Sequence, residues 1–256
     1  MTIVFSDLHL GKVPSEDASS LHNLLKCIDS YGDRLDRVLF LGDTFDAFIE
    51  YPNRIPKLIV KWTEMALGLK ERGLIVEYFA GNHDRWHLDF LQKQLQLTVR
   101  RDPHIIEFDG KKIWFEHGDD AIEHKGVVGF LKSISSKPWV YQLYRAFLPF
   151  GWGQNFVAWV SRNYSDFGVK PKTVLALRQY AFHQLNQKKC DVIVMGHCHE
   201  PSIETETEIN DSKEGKGVYV NTGNWYQSRT FAIIKDQISV CTWTPDGPSV
   251  LHQANF

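Results

Sequence analysis

Five stretches of the chain run apolar and then end on side chains that bind metal ions. They cover residues 3–9, 39–43, 77–84, 113–119 and 192–199. An apolar run is typical of a buried strand, and an open α/β sheet places its site just beyond the carboxyl ends of its strands. Strand ends that carry Asp, His and Asn can therefore meet at one point. The pattern predicts a metal centre there, and the number of ligands favours two ions.

The candidate metal ligands are oxygen and imidazole donors from these five stretches. They are Asp7, His9, Asp43, Asn82, His117, His197 and His199. If one carboxylate bridges two ions, these seven ligands make eight contacts, four for each ion. This donor set suits Mn, Fe or Zn with positions left open for water and phosphate oxygens. A site with two such metal ions is typical of enzymes that catalyse phosphoryl transfer or hydrolysis.

The spacing of neighbouring ligands suggests how they converge. In Asp7-x-His9 and His197-x-His199, the alternation of side chains along a strand would send both ligands to one side and Cys198 to the other. Asp43 and Asn82 each follow a glycine, and a glycine permits a tight turn at the strand end. A single Asp or His after a strand is usually a turn or cap residue. Five such ends in this order are hard to explain by turn chemistry alone.

The elements that must position these residues alternate between strands and helices in the first half of the chain. Apolar periodicity predicts helices near 21–28, 58–69 and 88–95, and strands at 38–41 and 74–79. The dipeptide Asp109-Gly110 predicts a hairpin with strands at 105–108 and 112–115. Strands are also predicted at 218–220, 231–234 and 238–243, with a hairpin tip over 204–217.

Residues 121–187 interrupt this alternation. They are predicted to form a mainly helical, aromatic-rich insertion within a single domain over 1–256. Its aromatic side chains could line an apolar slot, or they could be the insertion's own small core. Four basic residues of the insertion could meet phosphate or an anionic membrane surface: Lys132, Lys137, Arg145 and Arg162. Arg85 could also donate to phosphate, or it could be a solvated loop arginine.

Composition limits the classes of function. The chain has 256 residues and a formal net charge of −2, which gives no support for a nucleic-acid partner. Four cysteines without paired spacing favour a reducing compartment. The chain begins directly in a predicted strand, so no signal peptide is expected, and no apolar stretch is long enough to cross a membrane. No obligate protein partner is evident.

As a set, the motifs resemble those of the calcineurin-like metallophosphoesterases. The residues that carry the resemblance are Asp7-x-His9, Gly42-Asp43, Gly81-Asn82-His83-Asp84, His117-Gly118-Asp119 and Gly196-His197-x-His199. The resemblance implies an α/β fold of four layers, αββα, in which two mixed β-sheets pack face to face with helices outside.

The resemblance also implies roles for single residues. One ion would be held by Asp7, His9, Asp43 and His199. The other ion would be held by Asp43, Asn82, His117 and His197. His83 would protonate the leaving group or contact the phosphate, and Asp84 is expected to orient His83.

Within this superfamily the chain looks most like the UDP-2,3-diacylglucosamine hydrolases of lipid A synthesis. The similarity rests on the opening F-S-D-L-H-L-G, on G-D-T-F-D at 42–46, and on an insertion that carries Lys137-Pro138-Trp139 and Ser161-Arg162-Asn163. It implies a cytoplasmic enzyme, peripheral on the inner membrane, that uses manganese. The implied reaction cleaves the pyrophosphate of a diacylated UDP-sugar to UMP and an acylated sugar 1-phosphate.

One position departs from that pattern and keeps alternatives open. The best-known branch of those hydrolases carries Arg where this chain has His83, and His is commoner in the wider superfamily. A general soluble phosphodiesterase or nucleotide hydrolase is therefore the alternative. A protein serine/threonine phosphatase is disfavoured because Asp46 is followed by Ala47 rather than Arg. Net charge disfavours a DNA nuclease, and the full ligand set disfavours a non-catalytic scaffold.

Overall fold

The protein is described by a computed structural model that covers residues 1–52, 54–121, 137–164, 170–205 and 217–255. Its strands, in chain order, are β1 (Thr2–Phe5), β2 (Arg37–Leu41), β3 (Ile75–Phe79), β4 (Thr98–Arg100), β5 (His104–Phe108), β6 (Lys111–Phe115), β7 (Val192–Met195), β8 (Ser202–Thr205), β9 (Val218–Asn221), β10 (Thr230–Ile234), β11 (Ile238–Thr244) and β12 (Gly247–Ala254). Its α-helices are α1 (Asp17–Asp29), α2 (Lys57–Glu71), α3 (Phe90–Leu95), α4 (Pro138–Phe147), α5 (Phe150–Tyr164), α6 (Pro171–Asn186) and α7 (Trp225–Ser228).

The described strands form two mixed sheets. The larger sheet has the order β12-β11-β10-β1-β2-β3-β4, and the smaller has the order β5-β6-β7-β9-β8. β1, β2 and β3 are parallel neighbours, and their register places Phe5 opposite Phe40 and Leu41 opposite Phe79. β6 and β7 are parallel neighbours in the other sheet. The loops that follow β1, β2 and β3 therefore leave from one edge of the larger sheet, and those that follow β6 and β7 leave from one edge of the smaller sheet.

Three apolar layers hold the sheets and helices together. Between the sheets, the buried side chains include Val4, Leu41, Phe79, Phe115, Val194 and Val220. The outer face of the larger sheet packs on α1 and α2, where Leu24 and Trp62 meet Phe40. The outer face of the smaller sheet packs on α6, where Leu177 and Ala181 meet Ile193. Each fully buried side chain of this kind contributes about 1.5–3 kcal/mol. The expected four-layer sandwich is confirmed.

Several element boundaries differ from the sequence predictions. The short helix expected from residue 88 begins at Phe90, and the strands β4, β8 and β12 were not predicted. β12 is an edge strand whose side chains are mostly exposed, so it lacks the buried alternation that marks a strand in sequence. β8 and β9 pair antiparallel around the predicted hairpin tip, but residues 206–216 of that tip lie outside the described residues.

Helices α4, α5 and α6 lie within the predicted insertion at 121–187. α6 packs on the smaller sheet as part of the outer layer, whereas α4 and α5 lie near the carboxyl ends of the strands. The assignment of 121–187 as one insertion in a single domain stays a prediction. None of the described helices combines the length and apolarity that crossing a bilayer requires.

Candidate metal centre

The loops after β1, β2, β6 and β7 are joined by backbone hydrogen bonds. Asp7 N–H donates to the Gly42 carbonyl at 3.1 Å, and His9 N–H donates to the Asp43 carbonyl at 3.0 Å. In the smaller sheet, Gly196 N–H donates to the His117 carbonyl at 3.1 Å. These bonds hold the predicted ligand positions of each sheet next to one another.

The first cluster of ligands contains Asp7, His9 and His199, whose donor atoms lie within 4.8 Å of one another. His199 Nε2 is 3.1 Å from Asp7 Oδ1, and His9 Nε2 is 3.7 Å from the same oxygen. Asp7 and His9 are buried, and His199 is half-buried. Three converging donors from two sheets can hold one divalent ion, in line with the predicted grouping.

The second cluster contains Asp43, His117 and His197, again within 4.8 Å. His117 Nε2 lies 3.3 Å from Asp43 Oδ2, and the imidazoles of His117 and His197 meet edge to face at 5.2 Å. Asp43 is the carboxylate that the family resemblance implies for both ions. Six of the seven predicted ligands thus fall into two adjacent groups of three.

The tautomer of His117 tests whether a cation fits this second cluster. His117 Nδ1 lies 3.0 Å from the Leu41 carbonyl, which can only accept, so Nδ1 carries the hydrogen. In the neutral ring Nε2 then presents a lone pair to the Asp43 carboxylate, and Nε2 has no hydrogen bond among the described residues. Two buried acceptors facing each other are stable only with a cation or proton between them. A ligating His whose other nitrogen binds a carbonyl is the usual arrangement in metal sites.

The electrostatics of the clusters keep the carboxylates charged. Burial alone would raise the pKa of Asp7, but the His199 and His117 imidazoles outweigh it, and the pKa falls well below its usual value. The same balance, with His117 and His83 as the main partners, lowers the pKa of Asp43. Burial lowers the pKa of His197 to about 3, with a further contribution from His117, so this imidazole is neutral. Burial alone would lower the pKa of His117, but the Asp43 and Asp7 carboxylates outweigh it and raise that pKa well above its usual value. The proton that His117 carries beside Asp43 is the one a metal ion would displace, because metals bind ionised carboxylates and neutral imidazoles.

The ligands converge through unusual backbone geometry rather than strand alternation. The φ angles are 51° at Asp7, 45° at His9, 50° at Asp43, 67° at His197 and 62° at His199. The prediction that Asp7-x-His9 and His197-x-His199 continue as extended strand is therefore wrong, because β1 and β7 end before them. Left-handed conformations at non-glycine residues cost of order 1 kcal/mol each and cluster at functional sites.

Two glycines let the ligand loops approach closely. A Cβ at Gly196 would lie 2.5 Å from Asp7 Oδ2, and a Cβ at Gly81 would lie 2.2 Å from Asp43 Oδ1. His197 N–H donates to Asp7 Oδ2 at 3.0 Å across the first of these contacts. The glycines of the G-H and G-N motifs are therefore required by the carboxylates that they touch.

His83 lies beside both clusters. Its Nδ1 is 2.7 Å from the Asp46 carbonyl, and its Nε2 is 4.0 Å from Asp43 Oδ2. Because the carbonyl accepts from Nδ1, the ring presents Nε2 to the ligands. His9, Asp46 and His83 form a third group of close donor atoms, which the sequence did not assign. The signal available was the spacing of Asp43 and Asp46 in G-D-T-F-D.

Asp84 lies at the junction of two ligand loops, and its role in orienting His83 stays a prediction. It is fully buried, and its carboxylate accepts from Gly81 N–H at 2.8 Å, Phe45 N–H at 3.1 Å and the Tyr78 hydroxyl at 2.5 Å. Burial and, after it, the nearby Asp43 carboxylate together raise the pKa of Asp84 to about 6. Asp84 therefore joins the loop after β2 to the loop after β3. Among the described residues, the Asp46 carbonyl at 2.7 Å and the Ser161 hydroxyl at 3.4 Å lie next to His83 Nδ1.

Asn82 and Arg85 lie on the rim of the site. Asn82 is exposed, and with His83, Arg85 and apolar neighbours it lines a cavity of about 160 Å³. The apolar walls of this cavity are Phe48, Ile49, Trp86 and Val157. Arg85 also forms ion pairs with Asp119 at 2.7 Å and with Asp120 at 2.9 Å. It is therefore not simply a solvated loop arginine, and part of its charge is taken up by these carboxylates.

The basic residues of the insertion have different positions. Lys132 lies outside the described residues. Lys137 is exposed and immediately precedes α4. Arg145 donates to the Glu50 carbonyl at 3.1 Å and stacks on Tyr141, so it fastens α4 to the core. Arg162 is exposed in the last turn of α5, close enough to Lys12 to influence its pKa.

The outer aromatic residues of the insertion do not form a core. Phe147 is 79% exposed and Trp152 is 75% exposed, and Trp139, Phe156 and Trp159 are also exposed. Residues 152, 156 and 159 fall on one face of α5. On the opposite face, Gln154 donates to the Ile49 carbonyl and the Ser161 hydroxyl lies 3.4 Å from His83 Nδ1. α5 thus separates the metal centre from an exposed aromatic surface.

The sequence matches the calcineurin-like phosphoesterase family over residues 2–201, and the chain belongs to this family. Members of the family use divalent metal ions, and the two ligand clusters fit that requirement. The protein is therefore a metal-dependent phosphoesterase.

Two curated relatives with the same name match most of this chain. The chain is 24% identical over 247 residues to UDP-2,3-diacylglucosamine hydrolase of Porphyromonas gingivalis, which covers 89% of this chain and 91% of the relative. It is 24% identical over 237 residues to the enzyme of the same name from Aeromonas salmonicida, covering 88% and 86%. Among solved structures, Vacuolar Protein Sorting 29 from Cryptosporidium parvum matches with a TM-score of 0.50 and 15% identity, over 100% of this chain and 96% of that one. That likeness concerns the fold alone.

Proposed function

We propose that this chain is a di-metal hydrolase that cleaves the pyrophosphate bond of UDP-2,3-diacylglucosamine to UMP and an acylated sugar 1-phosphate. The observation that carries the proposal is the position of α5 between the metal centre and an exposed aromatic surface. A substrate with two phosphates and two acyl chains needs a charged centre and apolar surface side by side. The names of the two curated relatives, which match nearly the whole chain, support the same substrate.

The ions would be held by the seven predicted ligands. Asp7, His9 and His199 would bind one ion, His117, His197 and Asn82 would bind the other, and Asp43 would serve both. Manganese is the proposed metal, with iron or zinc as alternatives. When bound, such a pair activates water and stabilises the oxygens of a phosphoryl group during displacement.

His83 would act on the leaving group. Its Nδ1 hydrogen is committed to the Asp46 carbonyl, so Nε2 is the nitrogen available to donate a proton or bind a phosphate oxygen. A sugar phosphate is a weakly basic leaving group and needs little protonation, whereas an alkoxide needs much more. Asp84 would act indirectly, by fixing the loops that carry Asp43 and Asn82.

Substrate contacts would come from the rim and the insertion. Arg85 lines the cavity beside His83, and the further basic candidates are Arg162, Lys132, Lys137 and Arg145. The exposed aromatic face of α5 would contact acyl chains or the surface of the inner membrane from the cytoplasmic side. The net effect would be a peripheral enzyme that takes its substrate from the bilayer.

The decisive experiment compares two substrates at saturating manganese. We expect kcat/KM for detergent-solubilised UDP-2,3-diacylglucosamine to exceed that for bis-p-nitrophenyl phosphate, a short diester. Equal or reversed rates would favour the general phosphodiesterase, the alternative that His83 supports.

A surface variant tests the apolar part of the proposal. Trp152→Ser should raise KM for the diacylated substrate and leave KM for the short diester unchanged, because Trp152 lies on the outer face of α5. Val60→Ser provides the matched control, since Val60 is an exposed apolar residue on α2. An equal effect of both substitutions would count against a role for the aromatic face.

A further inference from the structure

A buried polar segment connects β9 to α7 and lies against ligand loops of both sheets. It covers residues 221–226, which we call the β9–α7 segment. Asn221, Thr222 and Asn224 are at most 4% exposed, although all three side chains are polar. Buried polar groups of this kind form hydrogen bonds, and their partners show what the segment holds in place.

The segment binds the loop after β1 mainly through its backbone. Trp225 N–H donates to the Ser6 carbonyl at 3.1 Å, and Tyr226 N–H donates to the carbonyl of the predicted ligand Asp7, also at 3.1 Å. The hydroxyls of Thr222 and Ser6 lie 2.7 Å apart and share a hydrogen bond. The peptide groups on both sides of Asp7 are therefore held by residues that follow a strand of the smaller sheet.

The segment binds the loop after β7 through two asparagine side chains. Asn221 Nδ2 donates to the Gly196 carbonyl at 2.7 Å, and Asn224 Nδ2 donates to the His199 carbonyl at 3.3 Å. The other end of the Asn224 amide fixes its orientation. Its Oδ1 accepts from Gln227 N–H at 2.7 Å, so the opposite atom must be the nitrogen that donates to His199.

These bonds restrain two ligands whose backbone conformations are unfavourable. Asp7 and His199 have φ angles of 51° and 62°. Residues in left-handed conformations keep them only where the surrounding structure holds them. Tyr226 restrains the peptide group after Asp7, and Asn224 restrains the peptide group after His199. The two ligands come from different sheets, yet His199 Nε2 lies 3.1 Å from Asp7 Oδ1.

The second cluster is joined across the sheets in a different way. Its ligand His117 follows a strand of the smaller sheet and reaches the larger one, where His117 Nδ1 lies 3.0 Å from the Leu41 carbonyl. Among the described residues, Asn224 forms no hydrogen bond with a ligand of this second cluster. The bond from Asn224 therefore acts on the first cluster alone.

We propose that Asn224 is a positioning residue for the first ion. By donating to the His199 carbonyl, it holds the His199 imidazole where that ring can share an ion with Asp7 and His9. The proposal rests on the ion assignment of the proposed function, and it adds a residue that lies outside the metal-binding motifs. Groups that orient a metal ligand typically contribute about 10–100-fold to metal affinity, so loss of this bond should weaken the first ion by that factor.

Asn224→Ser separates this bond from the capping of α7. Serine caps a helix as well as asparagine does, but it lacks the amide group that donates to His199. Mn²⁺ is titrated into metal-free protein by calorimetry. We expect the dissociation constant of one ion to rise about 10–100-fold in the variant and that of the other ion to stay unchanged. The Tm of the metal-free protein should also stay unchanged.

Electron paramagnetic resonance gives an independent signature of the same loss. Two neighbouring Mn²⁺ ions couple magnetically, so wild-type protein with two equivalents of Mn²⁺ should give the spectrum of a coupled pair. Asn224→Ser at the same loading should give mainly the spectrum of isolated ions. Asn23→Ser is the matched control, because Asn23 Nδ2 also donates to a backbone carbonyl, that of Ser19 on α1, at 2.8 Å. It should match wild type in every measurement.

Three results would overturn the proposal. Unchanged dissociation constants for both ions in Asn224→Ser would show that Asn224 does not position His199, and the di-metal function would stand. Equal weakening of both ions, or a fall in the Tm of the metal-free variant, would show that Asn224 supports the fold in general. A wild-type protein that binds a single ion would instead remove the di-metal function, and the effect of Asn224→Ser on that ion would still decide the role of Asn224.

Discussion

Asp43→Asn is the substitution that tests the shared ligand most directly. Asp43 Oδ1 accepts the His83 N–H at 2.9 Å, and Oδ2 faces His117 Nε2 at 3.3 Å. Asparagine can keep the first contact through its own oxygen, but it removes the negative charge and replaces the second carboxylate oxygen with an amide nitrogen that cannot bind a cation. We therefore expect the variant to fold while losing one or both ions.

The expected change in Tm follows from the free energy of metal binding, and the expected change in kcat/KM follows from the reaction barrier. A ligand present at about 100 times its dissociation constant stabilises a protein by about 2.7 kcal/mol. For a chain of this size, about 1 kcal/mol shifts Tm by about 2–4 °C, so manganese should raise the wild-type Tm by roughly 5–10 °C. The variant should show little of this rise. Its kcat/KM should fall at least about a thousandfold, equivalent to about 4 kcal/mol of transition-state stabilisation.

The assays are metal content by mass spectrometry, thermal unfolding with and without manganese, and hydrolysis of bis-p-nitrophenyl phosphate. Asp29→Asn is the control, because Asp29 makes an exposed ion pair with Arg72 and should leave all three measurements unchanged. A variant at position 43 that retains two ions and wild-type activity would refute the shared-ligand assignment.

Three further predictions concern neighbouring residues. His83→Gln should lower kcat about 100-fold or more for a diester with an alkoxide leaving group and much less for a pyrophosphate, as measured with matched substrates. Gly81→Ala should reduce metal content and Tm together, because the added Cβ would lie 2.2 Å from Asp43 Oδ1. Gly68→Ala on α2 is the control: its Cβ would meet nothing within 4 Å, so metal content and Tm should stay unchanged. Burial lowers the pKa of His87 to about 3, whereas the pKa of His87 in the unfolded chain is about 6.5. Between these pH values only the unfolded chain protonates His87, so the free energy of unfolding should fall as the pH drops below about 6.5. The loss should reach about 2 kcal/mol at pH 5 in chemical denaturation, and a His87→Phe variant that shows the same slope would contradict the assignment.

The insertion shows where sequence reasoning left two answers open. Its aromatic residues could have been core or surface, because composition does not say which face of a helix meets solvent. The structure places the residues at 152, 156 and 159 outward and Ser161 against His83. In the described part of the insertion the aromatics divide between the two alternatives: Tyr144 packs on Trp86 and Phe150 packs on Tyr51, whereas Phe147 and Trp152 are exposed.

The sequence by itself determined the ligand types, their order and the fold class. Apolar runs specify buried strands, and ligand residues at their ends specify a site at one edge of the sheets. Only the tertiary structure decided how the site is held together. The left-handed φ angles at Asp7 and Asp43 and the bond from the Asp46 carbonyl to His83 leave no mark in residue spacing. The contact between Lys12 and Ser161 spans 149 positions. Periodicity reports which face of an element is buried, whereas such contacts depend on which distant segment packs against it, and that is settled only when the whole chain has folded.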